Sequence, residues 1–178
     1  MGLAERFLPH YTVRDYERWE GDWELIEGIP YALASPSPLH QRTLARLVRL
    51  FDEKLDACPE CNVYVELDWY VSEDTVVRPD MVVVCSEKPF DKLTFAPDMA
   101  VEVVSPSTRD KDEELKRMLY EKKGLRWYVL VYPEDKKVKV FTLSEGFFSF
   151  VTPHPENIFE FDLGRCKVSV DFREVFTN

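Results

Sequence analysis

The chain has 178 residues, 45% of them hydrophobic and 31% charged, a balance that excludes disorder and suits one domain with a proper core. Its formal net charge of −10 counts against a protein that binds nucleic acid chiefly by neutralising phosphates. No apolar run approaches the roughly 20 residues needed to cross a bilayer. The opening Met1-Gly2-Leu3-Ala4-Glu5-Arg6 lacks both a basic leader and the hydroxyl residue that a myristoylation site wants at its sixth position, so the expectation is a cytoplasmic protein with no membrane partner.

Along the chain, Thr12 followed by Asp15 is a helix-start signal, predicting a short helix over 12–20 closed by Gly21. Residues 23–27 and 31–34 read as strands joined by the turn chemistry of Gly28-Ile29-Pro30. Ser35-Pro36-Ser37-Pro38 breaks regular structure, and Leu44, Leu47, Val48, Phe51 and Leu55 then place an apolar stripe on a helix over 39–57, with Arg42, Arg46 and Arg49 off it. From Asn62 to Val71 apolar and polar residues alternate, as in one half-buried strand that ends in the turn Ser72-Glu73-Asp74-Thr75. Residues 80–85 and 98–104 are continuous apolar runs, which suits central strands covered on both faces, with a loop over 86–97 between them.

A helix is expected from Asp110 to Lys123, stopped by Gly124 and burying Leu115, Met118 and Leu119. Residues 126–132 form another core strand, and 138–141, 147–151, 158–162 and 166–170 form shorter ones. Strand-helix-strand passages imply parallel pairing and the later hairpins antiparallel edges, so the fold class is α/β, a mixed β-sheet flanked by helices.

Two residues in the apolar runs are out of place. Glu102 stands alone within Met99-Ala100-Val101-Glu102-Val103-Val104, and Asp80 opens Asp80-Met81-Val82-Val83-Val84-Cys85. Stripping a carboxylate of water without a partner costs several kcal/mol, so such a group takes a proton or meets a cation. If the two strands are neighbours the acids converge, and a hard divalent ion such as Mg²⁺ or Mn²⁺ is the simplest means of holding them together.

Cys58, Cys61, Cys85 and Cys166 are too few and too scattered for a disulfide scaffold. Cys58-Pro59-Glu60-Cys61 has redox or zinc-knuckle spacing, yet a second pair is lacking and His10, His40 and His154 stand apart; two thiols in a loop are the expectation. Between Ser105 and Arg126 seven basic residues face five acidic ones, which is either a solvated helix face or a local nucleic-acid surface.

Taken together, Trp23-Glu24-Leu25-Ile26-Glu27-Gly28, Ser35-Pro36-Ser37-Pro38-Leu39-His40-Gln41, Arg78-Pro79-Asp80 and Glu102-Val103-Val104-Ser105-Pro106-Ser107-Thr108 are similar to the Uma-type bacterial family of restriction endonucleases, within the PD-(D/E)xK nuclease superfamily. The resemblance covers about residues 12–143, leaving 144–178 as a C-terminal β extension with an extra hairpin, as at the N-terminal end, all within one domain over 1–178. It implies a restriction-endonuclease-like fold and metal-dependent cleavage of DNA, with Asp80 and Glu102 as metal ligands. The superfamily lysine belongs two residues after the second acid, where Val104 stands. In the resembling family a lysine on the next helix looks like its substitute and falls on Lys116, with Asp112 and Tyr120 a turn to either side. Glu24, as a further carboxylate or a water-positioning group, and His40-Gln41, with Gln41 orienting a ligand, match the pattern as well. Cutting both strands with one site per chain favours a homodimer. The acidic charge and Val104 keep a second reading open, a nuclease-fold binding or assembly module without catalysis. A phosphoesterase for small nucleotides, which needs no basic track, is a third.

Overall fold

The computed structural model describes residues 7–85, 87–89, 91–153 and 155–177, so His154 and the opening Met1–Arg6 stretch lie outside it. Thr12 and Asp15 cap each other reciprocally, with the Thr12 N–H donating to Asp15 Oδ2 at 2.8 Å. The helix they start, α1 (Val13–Tyr16), is a single turn and does not run on to residue 20 as expected. No residue of α1 is buried, so no packed face supports further turns.

β1 (Trp23–Ile26) and β2 (Ile29–Ala32) form a hairpin. Its turn lies at Glu27 (φ 48°) and Gly28 (φ 79°), earlier than expected, because two successive positive φ values match the twist of the flanking strands. Pro30 therefore falls inside β2, which an edge strand tolerates. Helix α2 (Pro38–Leu55) begins with proline in its first turn and is capped by Ser37, whose hydroxyl accepts the His40 N–H at 3.2 Å. Leu44, Leu47, Leu50, Phe51 and Leu55 are its buried stripe.

The alternating segment after α2 is two strands in different sheets, β3 (Cys61–Val65) and β4 (Trp69–Ser72). The chain turns between them at Glu66, whose φ of 50° ends the pleat although the apolar-polar rhythm carries on. The three residues of β5 (Thr75–Val77), unforeseen in the sequence, pair with β4 and with β1. Then come β6 (Met81–Cys85) and β7 (Met99–Val103). The next helix starts as a π-helical stretch (Lys111–Lys116) and continues as α3 (Arg117–Lys122), with Gly124 at φ 78° ending it as predicted. β8 (Trp127–Tyr132), β9 (Lys137–Ser144), β10 (Phe147–Phe150), β11 (Ile158–Asp162), β12 (Lys167–Asp171) and the unanticipated α4 (Arg173–Phe176) complete the order.

A six-stranded mixed sheet runs β10-β9-β8-β7-β6-β3, with β7 and β8 parallel and the other neighbours antiparallel. A four-stranded antiparallel sheet runs β2-β1-β5-β4, and β11 and β12 form a separate hairpin. The continuous apolar runs are covered on both faces, as expected. Met81, Val83, Met99, Val101, Val129 and Val131 pack with α2 and the β11–β12 hairpin. Val82, Val84, Ala100, Tyr128 and Leu130 face the other way, toward Leu119, Tyr120, Trp69 and Val77.

The cysteines correct the thiol expectation. Cys58 is bonded to Cys166 and Cys61 to Cys85, and none is free. Cys61 and Cys85 are direct partners across β3 and β6, while Cys166 lies just before β12, so partners far apart in sequence are brought together by the fold.

Candidate active site

Antiparallel pairing of β6 with β7 sets Met81 against Val101, and the same register carries Asp80 opposite Glu102. The two acids interlock through the backbone. Asp80 Oδ2 accepts the Val103 N–H at 2.7 Å, and Glu102 Oε2 accepts the Asp80 N–H at 3.4 Å. Glu102 sits on the face of β7 that looks toward the π-helical stretch. There Lys116 Nζ lies 2.9 Å from Glu102 Oε1 and 2.7 Å from Glu24 Oε1, with Asp112 Oδ1 at 4.0 Å. Tyr120 donates to the same Glu102 oxygen at 3.1 Å. Val104, in the superfamily lysine's place, is buried and bonded through its N–H to the Val131 carbonyl. The ammonium nevertheless arrives beside the second acid, from the helix.

Glu24 is fully enclosed, and it is more than an extra acid. Its Oε1 accepts from Lys116 and from the Arg78 N–H at 2.8 Å, and its Oε2 takes Lys111 Nζ at 2.7 Å. The residue thus ties β1 to the chain just beyond β5 and to the helix. Arg78 is itself spoken for, by Asp68 at 2.6 Å and Asp22 at 2.7 Å.

Gln41 is exposed, and the structure does not bring it into the cleft. Its neighbour His40 is there instead, with Nε2 3.2 Å from Asp80 Oδ2. The apolar stripe contained a signal for this: 40, 44, 47 and 51 share one helical face, whereas 41 lies about 100° around. The helix after β7 supplies a second correction. Met118, expected in the core, is 62% exposed, and Asp112, Lys116 and Tyr120 are buried in its stead. Asp112, Lys116, Leu119 and Tyr120 lie on one helical face at steps of three and four, and that face, with Met118 on the opposite side, is the one turned to the sheet.

Burial pushes the Glu102 carboxyl well above the usual carboxylate range, and Asp112, Asp80 and Glu24 push the same way against the pull of Lys116. Burial likewise raises Asp112. Burial alone would favour loss of the Lys116 proton, but Glu102, Glu24 and Asp112 hold its ammonium well above the ordinary lysine value. Burial also opposes the charge on Glu24, and Lys116 and Lys111 outweigh it, keeping that carboxyl low. The hydrogen bond to Asp80 draws the His40 imidazole up from its ordinary value against the effect of burial, and its enclosed Nδ1 has no partner among the described residues. Apart from the enclosed Glu24, these groups line a cleft of about 1020 Å³, together with Tyr31, Leu33, Asp80 and Lys111.

Residues 13–160 match the family Uma2, described as putative restriction endonuclease. The chain belongs to the Uma2 family. The crystal structure, at 1.96 Å resolution, of a putative nuclease belonging to DUF820 from Anabaena variabilis ATCC 29413 has the same fold, with a TM-score of 0.77 at 16% identity over 93% of this chain and 97% of that one. The mixed α/β architecture of this Uma2 protein is therefore nuclease-like, and family and fold together support a nuclease. No curated protein matches the chain.

The restriction-endonuclease class of the Uma2 family generally uses a divalent metal, and the donor set here fits one. Among the described residues no three His, Cys, Asp or Glu side chains gather as a ready-made cage. Mg²⁺ needs none, since it is commonly held by one or two carboxylates and keeps its waters. Each acid offers one oxygen in reserve. Asp80 Oδ2 and Glu102 Oε1 are saturated, whereas no hydrogen bond among the described residues reaches Asp80 Oδ1 and only the long contact from the Asp80 N–H reaches Glu102 Oε2. The carboxylates Glu24, Asp80, Glu102 and Asp112 also outnumber the ammonium groups of Lys111 and Lys116, a surplus that a divalent cation offsets.

Proposed function

We propose that this Uma2 protein is a divalent-metal-dependent endonuclease that hydrolyses DNA phosphodiester bonds, with Asp80 and Glu102 as the ligands of Mg²⁺ or Mn²⁺. The observation that carries the reading is the pair of neighbouring acids, Asp80 with Oδ1 free of hydrogen bonds from the described residues and Glu102 with Oε2 held only by a long backbone contact, in a pocket richer in carboxylates than in cations. A bound ion supplies Lewis acidity toward the phosphate and a more acidic water.

The chain's own groups do the remainder. Lys116 keeps its proton, so it acts as a donor and not as a base. Two of its three N–H bonds are committed to Glu24 and Glu102, and the third is available to orient the attacking water or to offset charge on a phosphate oxygen. Glu24 fixes both Lys111 and Lys116 in place. A duplex cut on both strands then calls for two copies of the chain.

The test is nicking of supercoiled plasmid with and without Mn²⁺. Wild-type protein nicks only with the ion, and Asp80→Ala or Glu102→Ala abolishes it; cleavage that survives in the double variant overturns the assignment. Lys116→Met lowers turnover while leaving Mn²⁺ affinity nearly intact. The exposed acids Glu66, Asp110 and Glu114 on the cleft rim favour the second reading, a binding module, and that reading is chosen if no nucleic acid is turned over with any divalent ion.

A further inference from the structure

We propose that His40 is the positioning residue of Asp80, fixing which carboxylate oxygen faces the cleft; this rests on the metal reading above. Asp80 is the first residue ahead of β6, a place where a short side chain is free to rotate, so its orientation must come from neighbours. One is the Val103 N–H, at 2.7 Å from Oδ2. The other is His40 Nε2, at 3.2 Å from the same atom. With both donors on Oδ2, the carboxylate plane is set from two directions and Oδ1 is left for a ligand.

His40 is well placed for this work. Its backbone N–H is bound by the Ser37 hydroxyl, Pro38 stiffens the same helical turn, and the ring shares the stripe that α2 packs on the sheet. The side chain is 15% exposed, and its Nδ1 is buried without a partner among the described residues. A proton on Nδ1 would leave a buried unpaired donor, at a cost of about 1–3 kcal/mol, so the ring presents its proton at Nε2, toward Asp80. The arrangement is that of a group hydrogen-bonded to a ligand, where loss of the supporting bond costs about 10–100-fold in metal affinity.

The experiment is calorimetric titration of Mn²⁺ into wild type, His40→Ala and His40→Gln, with circular dichroism to establish that each is folded. His40→Ala weakens binding about 10–100-fold. His40→Gln, whose amide nitrogen reaches the position of Nε2, restores most of it. A merely structural histidine would move thermal stability in both variants and leave Mn²⁺ affinity alone, and equal affinity in all three proteins overturns the proposal. Nitrogen-15 spectra of the metal-free wild type at alkaline pH supply an arm that needs no ion. A ring protonated at Nε2 and bare at Nδ1 is expected, and a proton on Nδ1 overturns the proposal. Failure of the wild type to bind Mn²⁺ would instead remove the metal reading, with the ring spectra still deciding the His40–Asp80 bond.

Discussion

Lys116 shows how much one buried charge carries in this molecule. It is 2% exposed and lies between Glu24 and Glu102, so β1, β7 and the helix meet at a single ammonium group. Removing one partner of a buried ion pair leaves the others uncompensated and typically costs about 3–5 kcal/mol. Lys116→Met is accordingly expected to lose about that much stability in urea unfolding, and Glu24→Gln in the same chain to recover part of it; additive losses would show that the two are not coupled. Lys116, Asp80, Glu102 and Glu24 were legible in the sequence because charge in an apolar setting is conspicuous and the family resemblance carried the rest. His40 was half legible: the resemblance marks His40-Gln41 together and points to Gln41 as the orienting group, whereas the helical period sets position 40, not 41, on the side of the buried stripe.

At the scale of elements, periodicity found most strands and both long helices, and failed where the backbone leaves its regular path. Glu66 ends β3 with one left-handed residue, and an alternating pattern continues straight through it. On the helix after β7 the apolar residues pointed to Met118 as core, but the face that is buried is the one carrying Asp112, Lys116, Leu119 and Tyr120, which share a side at the ordinary helical spacing. The hairpin of β4 and β5 is held by Asp74, which accepts from the Ser72 hydroxyl at 2.8 Å and the Thr75 hydroxyl at 3.3 Å and pairs with His10 at 3.1 Å. The Ser72 hydrogen bond, with help from Thr75 and His10, holds the Asp74 carboxyl below its ordinary value. A carboxyl whose folded value is depressed stabilises the fold above its unfolded value, and that contribution is lost as pH falls through the folded one. Stability of the wild type should therefore decline on acidification below the ordinary carboxylate value. In Asp74→Asn, followed by unfolding at a series of pH values, that part of the decline should be missing; identical curves would count against the bond.

For the whole molecule, the paired cysteines decide how the C-terminal hairpin is tethered. The bond from Cys58 to Cys166 spans 108 residues and that from Cys61 to Cys85 spans 24, and closures of such lengths stabilise by roughly 3–5 kcal/mol each in the chain-entropy account. A thiol reagent should find no reactive cysteine in the unfolded but unreduced protein and all four after reduction, with a lower unfolding midpoint once reduced. Four thiols before reduction would mean that the pairs are adjacent but unbonded. No described helix is long and apolar enough to cross a membrane.

The sequence by itself determined which stretches are core, because hydrophobic runs of strand and helix length have few places to go, and it marked Glu102 and Asp80 as anomalies, because desolvating a carboxylate is costly wherever it happens. Only the tertiary structure decided what those acids meet. Lys116 and Tyr120 on Glu102, His40 on Asp80, Glu24 joining two lysines, and the cysteine pairs are all contacts between residues distant along the chain. They depend on strand register and on one π-helical stretch, where a shift of a single residue sends a side chain to the opposite face of its sheet.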